Sequence, residues 1–145
     1  MRATGAEVFT PYFLSLLAAQ YLKHGNTNEG LSAIAEGLSA SEARGQHQWT
    51  AELYRLKGEL LLACSADASE EAETSFRRAI DIAAGQQAKS WELRAWTSLG
   101  RLLGRQGRVE EIRPMLLNAH AWFTEGFDTA DLKAAQSMLD ELSTG

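Results

Sequence analysis

The chain has 145 residues and a mass of 15.9 kDa, enough for a single domain that buries a core without disulfides or metals. Its formal net charge of -5 disfavours nucleic-acid binding, and no apolar run reaches the roughly 18 residues that a membrane span requires. The single cysteine, Cys64, excludes a disulfide framework within the chain and indicates a reducing, cytoplasmic compartment.

The sequence favours helices throughout. Proline occurs only at Pro11 and Pro114, and Ala, Leu, Glu, Gln and Arg dominate, which are good helix formers. No stretch alternates apolar and polar residues as a strand does, so the fold class is predicted to be all-α. Apolar periodicity and turn signals predict seven helices, at about 9–24, 26–43, 47–64, 70–83, 89–106, 109–125 and 128–142.

Specific residues mark the predicted helix ends. Gly25 ends the first helix and Gly107 the fifth, because glycine readily adopts the left-handed conformation that follows a helix. Asn26, with Glu29 three residues on, is expected to cap the second helix, and Ser69 the fourth. Each helix therefore has a local signal for its start or its end.

Pro114 falls inside the sixth predicted helix. Its ring removes one amide donor and clashes with the preceding turn. We expect either a kink there or a helix start displaced toward Arg113.

The chain contains an internal repeat. Residues 49–61 and 91–103 align without a gap 42 residues apart, and a fainter copy lies 40 residues upstream of the first. A small residue recurs at the centre of each copy, at Ala18, Gly58 and Gly100, where it lets a partner helix approach closely. Each copy is followed by a second amphipathic helix. The pattern predicts one repeat domain over 1–145, with helix pairs at about 8–45, 46–86 and 88–126 and a capping helix at about 128–142.

The repeated residues resemble a known motif. Trp96, Leu99, Gly100 and Leu103 stand at the spacing of a tetratricopeptide repeat (TPR), and the copy around Gly58 is similar. This resemblance implies an α-solenoid of about three TPR-like helix pairs. The period near 40 exceeds the standard 34 residues, which implies helices longer than usual.

A second resemblance is narrower. Residues 51–62 and 122–133 are similar to the C-terminal repeat region of large bacterial signalling proteins, in which an adenylate-cyclase-like or DNA-binding domain precedes an ATPase domain. The resemblance implies a regulatory or scaffolding module that binds protein. An inducer-sensing solenoid, which binds a small molecule, is the alternative that it leaves open. A hydrolytic enzyme is disfavoured separately, because the sequence offers no constellation of nucleophile, base or metal ligands.

The residues that could carry chemistry are scattered. His24, His47 and His120 have no partner at metal-ligand spacing, so no metal or cofactor is expected. Cys64 is interpreted as a small packing residue rather than a nucleophile. The acidic run 70–73 suits a solvated helix start, where the helix dipole favours negative charge.

The resemblance places a candidate binding surface on the first helix of each pair, which lines the inner groove of TPR arrays. The aligned positions there are Tyr12, Ser15, Ala19, Lys23, Glu52, Arg55, Glu59, Arg94, Thr97, Arg101 and Arg105. Three of the arginines share one face of the fifth helix, since they are seven and four residues apart. This basic strip is a candidate receptor for the carboxylates of an acidic peptide.

Salt bridges between neighbouring helices are the alternative interpretation of the same residues. Glu52 and Glu59 occupy the repeat positions of Arg94 and Arg101, so adjacent helices bring opposite charges together. Arg55 and Arg105 have no acidic residue at their aligned positions. We therefore keep both interpretations open.

Two aromatic surfaces complete the predictions. Trp122, Phe123 and Phe127 are either a recognition site or the apolar closure of a helix that ends at Gly126. At the other end, the first helix presents apolar residues to a terminus that no capping helix covers, which predicts a homodimer through the first helix pair. The residues expected at that end are Val8, Phe9, Tyr12, Phe13 and Leu16.

Overall fold

The computed structural model describes residues 10–45, 47–108, 110, 111, 113, 114, 117 and 137. The regular secondary structure of these residues is helical, without a strand, which confirms the all-α prediction. The five helices are α1 (Thr10–Lys23), α2 (Thr27–Arg44), α3 (Thr50–Cys64), α4 (Ser69–Gly85) and α5 (Lys89–Arg105). All five agree with the predicted bounds to within one turn, and the largest difference is at α3, which begins three residues later than predicted.

The chain divides into two compact units, residues 1–75 and residues 76–145, and the boundary falls inside α4. In the first unit α1 packs against α2 and α3, and α2 packs against α3. Aliphatic side chains from all three helices form its buried core. The core residues are Leu14, Ala18, Ala33, Ile34, Leu53, Leu56 and Leu60.

Two glycines on α2 allow α3 to approach closely. A Cβ atom added at Gly30 would lie 2.6 Å from Cδ2 of Leu60, and one added at Gly37 would lie 3.0 Å from Cδ2 of Leu53. Both leucines are fully buried, so neither side chain can swing into solvent to make room. The contacts pair the start of α2 with the end of α3, which makes the two helices antiparallel.

The same glycines face α1 on their other side. Cβ atoms at Gly30 and Gly37 would lie 3.3 Å from Cβ of Tyr21 and 3.4 Å from Cβ of Leu14. Each glycine therefore lies between a residue of α1 and a leucine of α3. The two glycines are seven residues apart, so this three-helix contact occurs twice, about two helical turns apart. In this unit α1 and α3 are parallel, with α2 antiparallel to both.

The predicted stops at Gly25 and Gly107 are confirmed, with φ of 79° and 72°. After α1, the amide of Asn26 donates to the carbonyl oxygen of Tyr21 at 2.8 Å, and the amide of Gly25 donates to that of Leu22 at 3.2 Å. This pair of bonds is a Schellman motif, and the same pattern closes α5. Left-handed backbone is required at both glycines, which explains the residue type.

The two predicted side-chain caps do not form. Asn26 occupies the N-cap position of α2 but makes no side-chain cap hydrogen bond. Ser69 is the first residue of α4 rather than its cap, because a 3-10 turn at Ala66–Ala68 runs directly into the helix. The capping hydroxyl belongs to Ser65, which accepts from the amide of Asp67 at 3.1 Å.

In the second unit, the apolar stripes of α4 and α5 are buried. Their buried residues include Phe76, Ala79, Ile80, Ala83, Leu93, Ala95, Trp96, Leu99, Leu102 and Leu103. Glu110 and Glu111 are already helical, so the expected displacement of a helix start to Arg113 is wrong. The predicted kink at Pro114 involves Met115 and Leu116, which lie outside the described residues. So do the aromatic residues around Gly126 and, apart from Ser137, the predicted capping helix.

Candidate partner-binding surface

The part of the candidate surface on α1 is aromatic. Tyr12 is 40% exposed, and its ring lies against that of Trp49, with centroids 4.5 Å apart and an interplanar angle of 39°. The buried hydroxyl of Ser15 donates to the carbonyl oxygen of Tyr12 at 2.6 Å, so Ser15 is unavailable to a partner. Lys23 is exposed at the end of α1. Tyr12 is thus held in place by Trp49 while part of its ring remains accessible.

The part of the surface on α3 is an ion cluster of Glu52, Arg55 and Glu59. The guanidinium of Arg55 donates to both carboxylate oxygens of Glu52, at 2.9 and 2.8 Å, and lies 3.6 Å from Glu59. All three side chains are half-buried. Arg55 has no acidic residue at its aligned repeat positions, but the spacings i,i+3 and i,i+4 supply two carboxylates within its own helix.

The part of the surface on α5 is basic but smaller than the sequence predicts. Arg101 and Arg105 are exposed and Arg94 is half-buried. Thr97 is only 3% exposed, and its hydroxyl donates to the carbonyl oxygen of Leu93 at 2.9 Å. We remove Thr97 from the candidate surface because it lies on the buried side of α5. The exposed cations that remain on this helix face are Arg101 and Arg105.

A buried carboxyl group on α5 was not anticipated from the sequence. Glu92 is 9% exposed and accepts a hydrogen bond from the indole Nε1–H of Trp96 at 3.2 Å. Burial raises the pKa of Glu92 above its ordinary value, while the Trp96 hydrogen bond and the charge of Lys89 lower that pKa in part. The spacing of four between an acid and a tryptophan is the only signal for this pair in the sequence.

A mixed-charge cavity lies where α3 faces the first turn of α4. Its volume is about 330 Å³. The lining residues are Lys57, Leu61, Glu70, Glu71, Thr74 and Ser75. Of these, Ser75 is buried, and Lys57 lies with its Nζ atom 5.9 Å from the centroid of the Tyr54 ring. The cavity thus combines one cation, two carboxylates and an apolar wall.

The remaining chemical candidates lie at the surface. Cys64 is exposed as the last residue of α3, so its interpretation as a packing residue is wrong. Cys64 lies about one turn beyond Leu60, the last of the buried residues of α3. His24 and His47 are also exposed. Across the described part of the chain, no group of three or more His, Cys, Asp or Glu residues is placed to hold a metal ion.

Comparison of the chain with protein-family models, curated proteins and solved structures yields no match. Among the described residues, no helix is both long enough and apolar enough to cross a membrane.

Proposed function

We propose that this chain is a noncatalytic protein-binding module built as an α-solenoid of about three TPR-like helix pairs with a C-terminal capping helix. Its partner is a protein or peptide that carries carboxylates. The regulatory or scaffolding role in bacterial signalling, in the cytoplasm, that the sequence resemblance implies is part of the same proposal.

The helix packing in the first unit supports the repeat architecture. In α3, Leu53 and Leu60 lie on the glycines of α2 and are fully buried. Forty-two residues later, the aligned Ala95 and Leu102 of α5 are buried as well. In a stacked array of helix pairs, the same positions must be buried in each repeat, as they are at these two pairs of residues.

The difference in exposure between the arginines of α3 and those of α5 supports an acidic partner. On α3, the guanidinium of Arg55 donates to Glu52, lies near Glu59 and is half-buried, so it is poorly accessible to a partner. On α5, Arg101 and Arg105 are exposed one turn apart, which suits paired contacts to carboxylates. The exposed pair on α5 is the observation that carries the proposal.

A peptide array tests this function. The full chain is applied to immobilised acidic, neutral and basic peptides of matched length, at low and at high salt. We expect preferential binding to acidic peptides that weakens with salt, because exposed charges are screened. The double variant Arg101→Glu/Arg105→Glu should bind them about tenfold more weakly. The control Arg101→Lys/Arg105→Lys keeps the charge and should stay near the parent. Equal binding to all three peptide classes would contradict the proposal.

The mixed-charge cavity favours the second candidate function, small-molecule sensing. Its volume of about 330 Å³ lies at the lower end of the range for ligand pockets. Lys57 on one helix and Glu70 and Glu71 on the next could bind the opposite charges of one zwitterionic ligand. A thermal-shift screen of metabolites tests this candidate, since a ligand that binds the native state raises its melting temperature. A shift that Lys57→Met abolishes supports sensing, and a shift that survives this change points to another site.

A further inference from the structure

The outward side of α1 is apolar and exposed. Phe13 and Leu16 are 64% and 47% exposed, and Gln20 is exposed one turn further on. These three residues, which we name the α1 outer face, are spaced i, i+3 and i+7 and therefore lie on one side of the helix. Two large apolar side chains on one side of α1 therefore remain in contact with solvent.

The corresponding side of α3 indicates what such a face binds. Forty residues later, the α1 outer face aligns with Leu53, Leu56 and Leu60, and all three are buried. Two of them rest on α2, where Gly37 and Gly30 leave room for their methyl groups. Within the described residues, the face of α3 that corresponds to the α1 outer face is thus seen together with the helix that covers it. That covering helix, α2, has two glycines seven residues apart.

Helix α5 repeats the observation. Its residues at the same register, Ala95, Ser98 and Leu102, are 1%, 2% and 3% exposed. The register is therefore buried in two of the three aligned helices. The α1 outer face is the exception, although its residues Phe13 and Leu16 are as apolar as those buried elsewhere.

The size and charge of the face limit its occupant. Phe13 carries about 150–250 Å² of surface, so its exposed part and that of Leu16 together reach roughly 200 Å². This is about a quarter of the roughly 800 Å² that each partner buries in a stable protein–protein interface, so the face suits a weak, transient contact rather than a stable dimer. Lys23 is the only charged residue of α1. An uncharged surface of this width matches the side of a single helix.

We propose that the α1 outer face docks one helix from a partner protein, and that this helix carries glycine or alanine at two positions seven residues apart on an uncharged side. The partner helix takes the place that α2 takes against α3, with Phe13 over one small residue. The face shares no residue with the Arg101 and Arg105 surface, so this inference can fail while the proposed function stands.

A synthetic peptide of residues 10–45 is the probe, because it contains α2 with the side that α3 normally covers. The peptide carries Phe13→Glu so that it does not associate with itself, and its helix content is measured by circular dichroism. We expect it to bind the full chain in a 1:1 complex. Adding Gly30→Leu and Gly37→Leu to the peptide should weaken binding about tenfold or more, because the leucines fill the space that Phe13 needs.

Variants of the full chain locate the binding. Phe13→Glu should weaken binding about tenfold or more, since it places a charge inside the new contact. Ser39→Glu adds the same charge at an exposed position of α2 and should leave binding unchanged. Because Phe13 is largely exposed, its variant is expected to melt with the parent; if it unfolds, Phe13→Ser replaces it in the comparison.

Four outcomes would overturn the inference. The first is a helical peptide that does not bind, and the second is binding that Phe13→Glu and Phe13→Ser leave intact. The third is light scattering that gives a dimer of the full chain which Phe13→Glu converts to monomer, because the occupant is then a second copy. The fourth is binding that appears only after deletion of residues 1–9, because the occupant is then the chain's own terminus.

Discussion

When α3 is laid on α5 at the offset of 42 residues, every position that α3 buries is buried in α5 as well, whereas the surroundings of the polar side chains differ. Leu53 and Leu60 align with Ala95 and Leu102, and all four are buried. By contrast, the half-buried, ion-paired Arg55 aligns with a buried threonine, Thr97. Packing between helices is therefore what the repeat preserves, while each copy satisfies its polar groups in its own way.

The first pair of polar positions differs most. Thr50 and Glu92 stand at the same register near the start of their helices, and both are 9% exposed. Glu92 bonds to Trp96, whereas the buried hydroxyl of Thr50 has no hydrogen-bond partner among the described residues. The polar group at this position thus has a hydrogen-bond partner in α5 and none among the described residues in α3. Substitutions of Glu92 and Thr50 are therefore expected to change the free energy of unfolding in opposite directions.

The largest expected effect comes from the aligned glycines at the centre of each copy. Gly58 and Gly100 are both buried, so Gly58→Leu and Gly100→Leu should each lower the free energy of unfolding by about 3 kcal/mol through overpacking. Gly85→Leu is the control, because nothing lies within 4 Å of a Cβ atom added there. Urea denaturation measures all three. A loss at one aligned glycine but not the other would break the alignment of α3 with α5.

The next largest effect compares Glu92, which is hydrogen-bonded, with Thr50, whose hydroxyl has no partner among the described residues. Glu92→Leu leaves the indole N–H of Trp96 without its partner and should cost about 1–3 kcal/mol. Thr50→Val removes an unpaired hydroxyl while keeping the shape, and should be neutral or stabilise by up to about 1 kcal/mol. Thermal denaturation of the two variants gives the signs. Equal losses at both positions would mean that the Thr50 hydroxyl has a stabilising partner.

A smaller effect is expected at the ends of α4 and α5. Gln87 and Gly107 follow these helices with φ of 57° and 72°, a left-handed conformation that costs a residue with a side chain about 1 kcal/mol. Gln87→Gly should therefore raise the free energy of unfolding by about 0.5–1 kcal/mol, and Gly107→Gln should lower it by a similar amount. If both changes have the same sign, backbone conformation does not control these turns.

The smallest effect is the pH dependence at Glu92. Because burial raises its pKa in the folded chain, the folded state binds a proton more readily than the unfolded chain does. Glu92 therefore favours folding below its unfolded pKa, and this contribution is lost as the pH rises through the folded value. Glu92→Gln keeps an oxygen acceptor for Trp96 but does not titrate. Relative to this variant, the parent should become less stable as the pH rises above the ordinary pKa of a glutamate. The opposite trend would mean that the charge on Glu92 is stabilised.

The helices were predictable because their signals are local. Gly25 and Gly107 required left-handed backbone, and the apolar spacing of Leu14 and Ala18 needs only a helical period to be recognised. The close contacts of Gly30 and Gly37 depend on which helix lies opposite. No local signal in the sequence shows that, so these contacts could not be predicted.

The pairing of the charged candidate residues could not be predicted from the sequence. The repeat alignment compares positions in different copies, so it raised salt bridges between neighbouring helices as an alternative and did not show pairing within one helix. Arg55 bonds within α3 because Glu52 is three residues away, at a distance the guanidinium reaches without moving the backbone. Thr97 was misplaced because a threonine can satisfy its hydroxyl on its own helix and then tolerate burial.

The central claim of the proposal is that the arginines that donate to an acidic partner lie on α5 and not on α3. Its most direct test compares the affinity of an acidic peptide, chosen from the array, for Arg55→Gln and for Arg101→Gln/Arg105→Gln at low salt. We predict that Arg55→Gln binds within about twofold of the parent, while the α5 double variant binds about tenfold more weakly. A loss that is equal for the two variants, or larger for Arg55→Gln, would contradict the account.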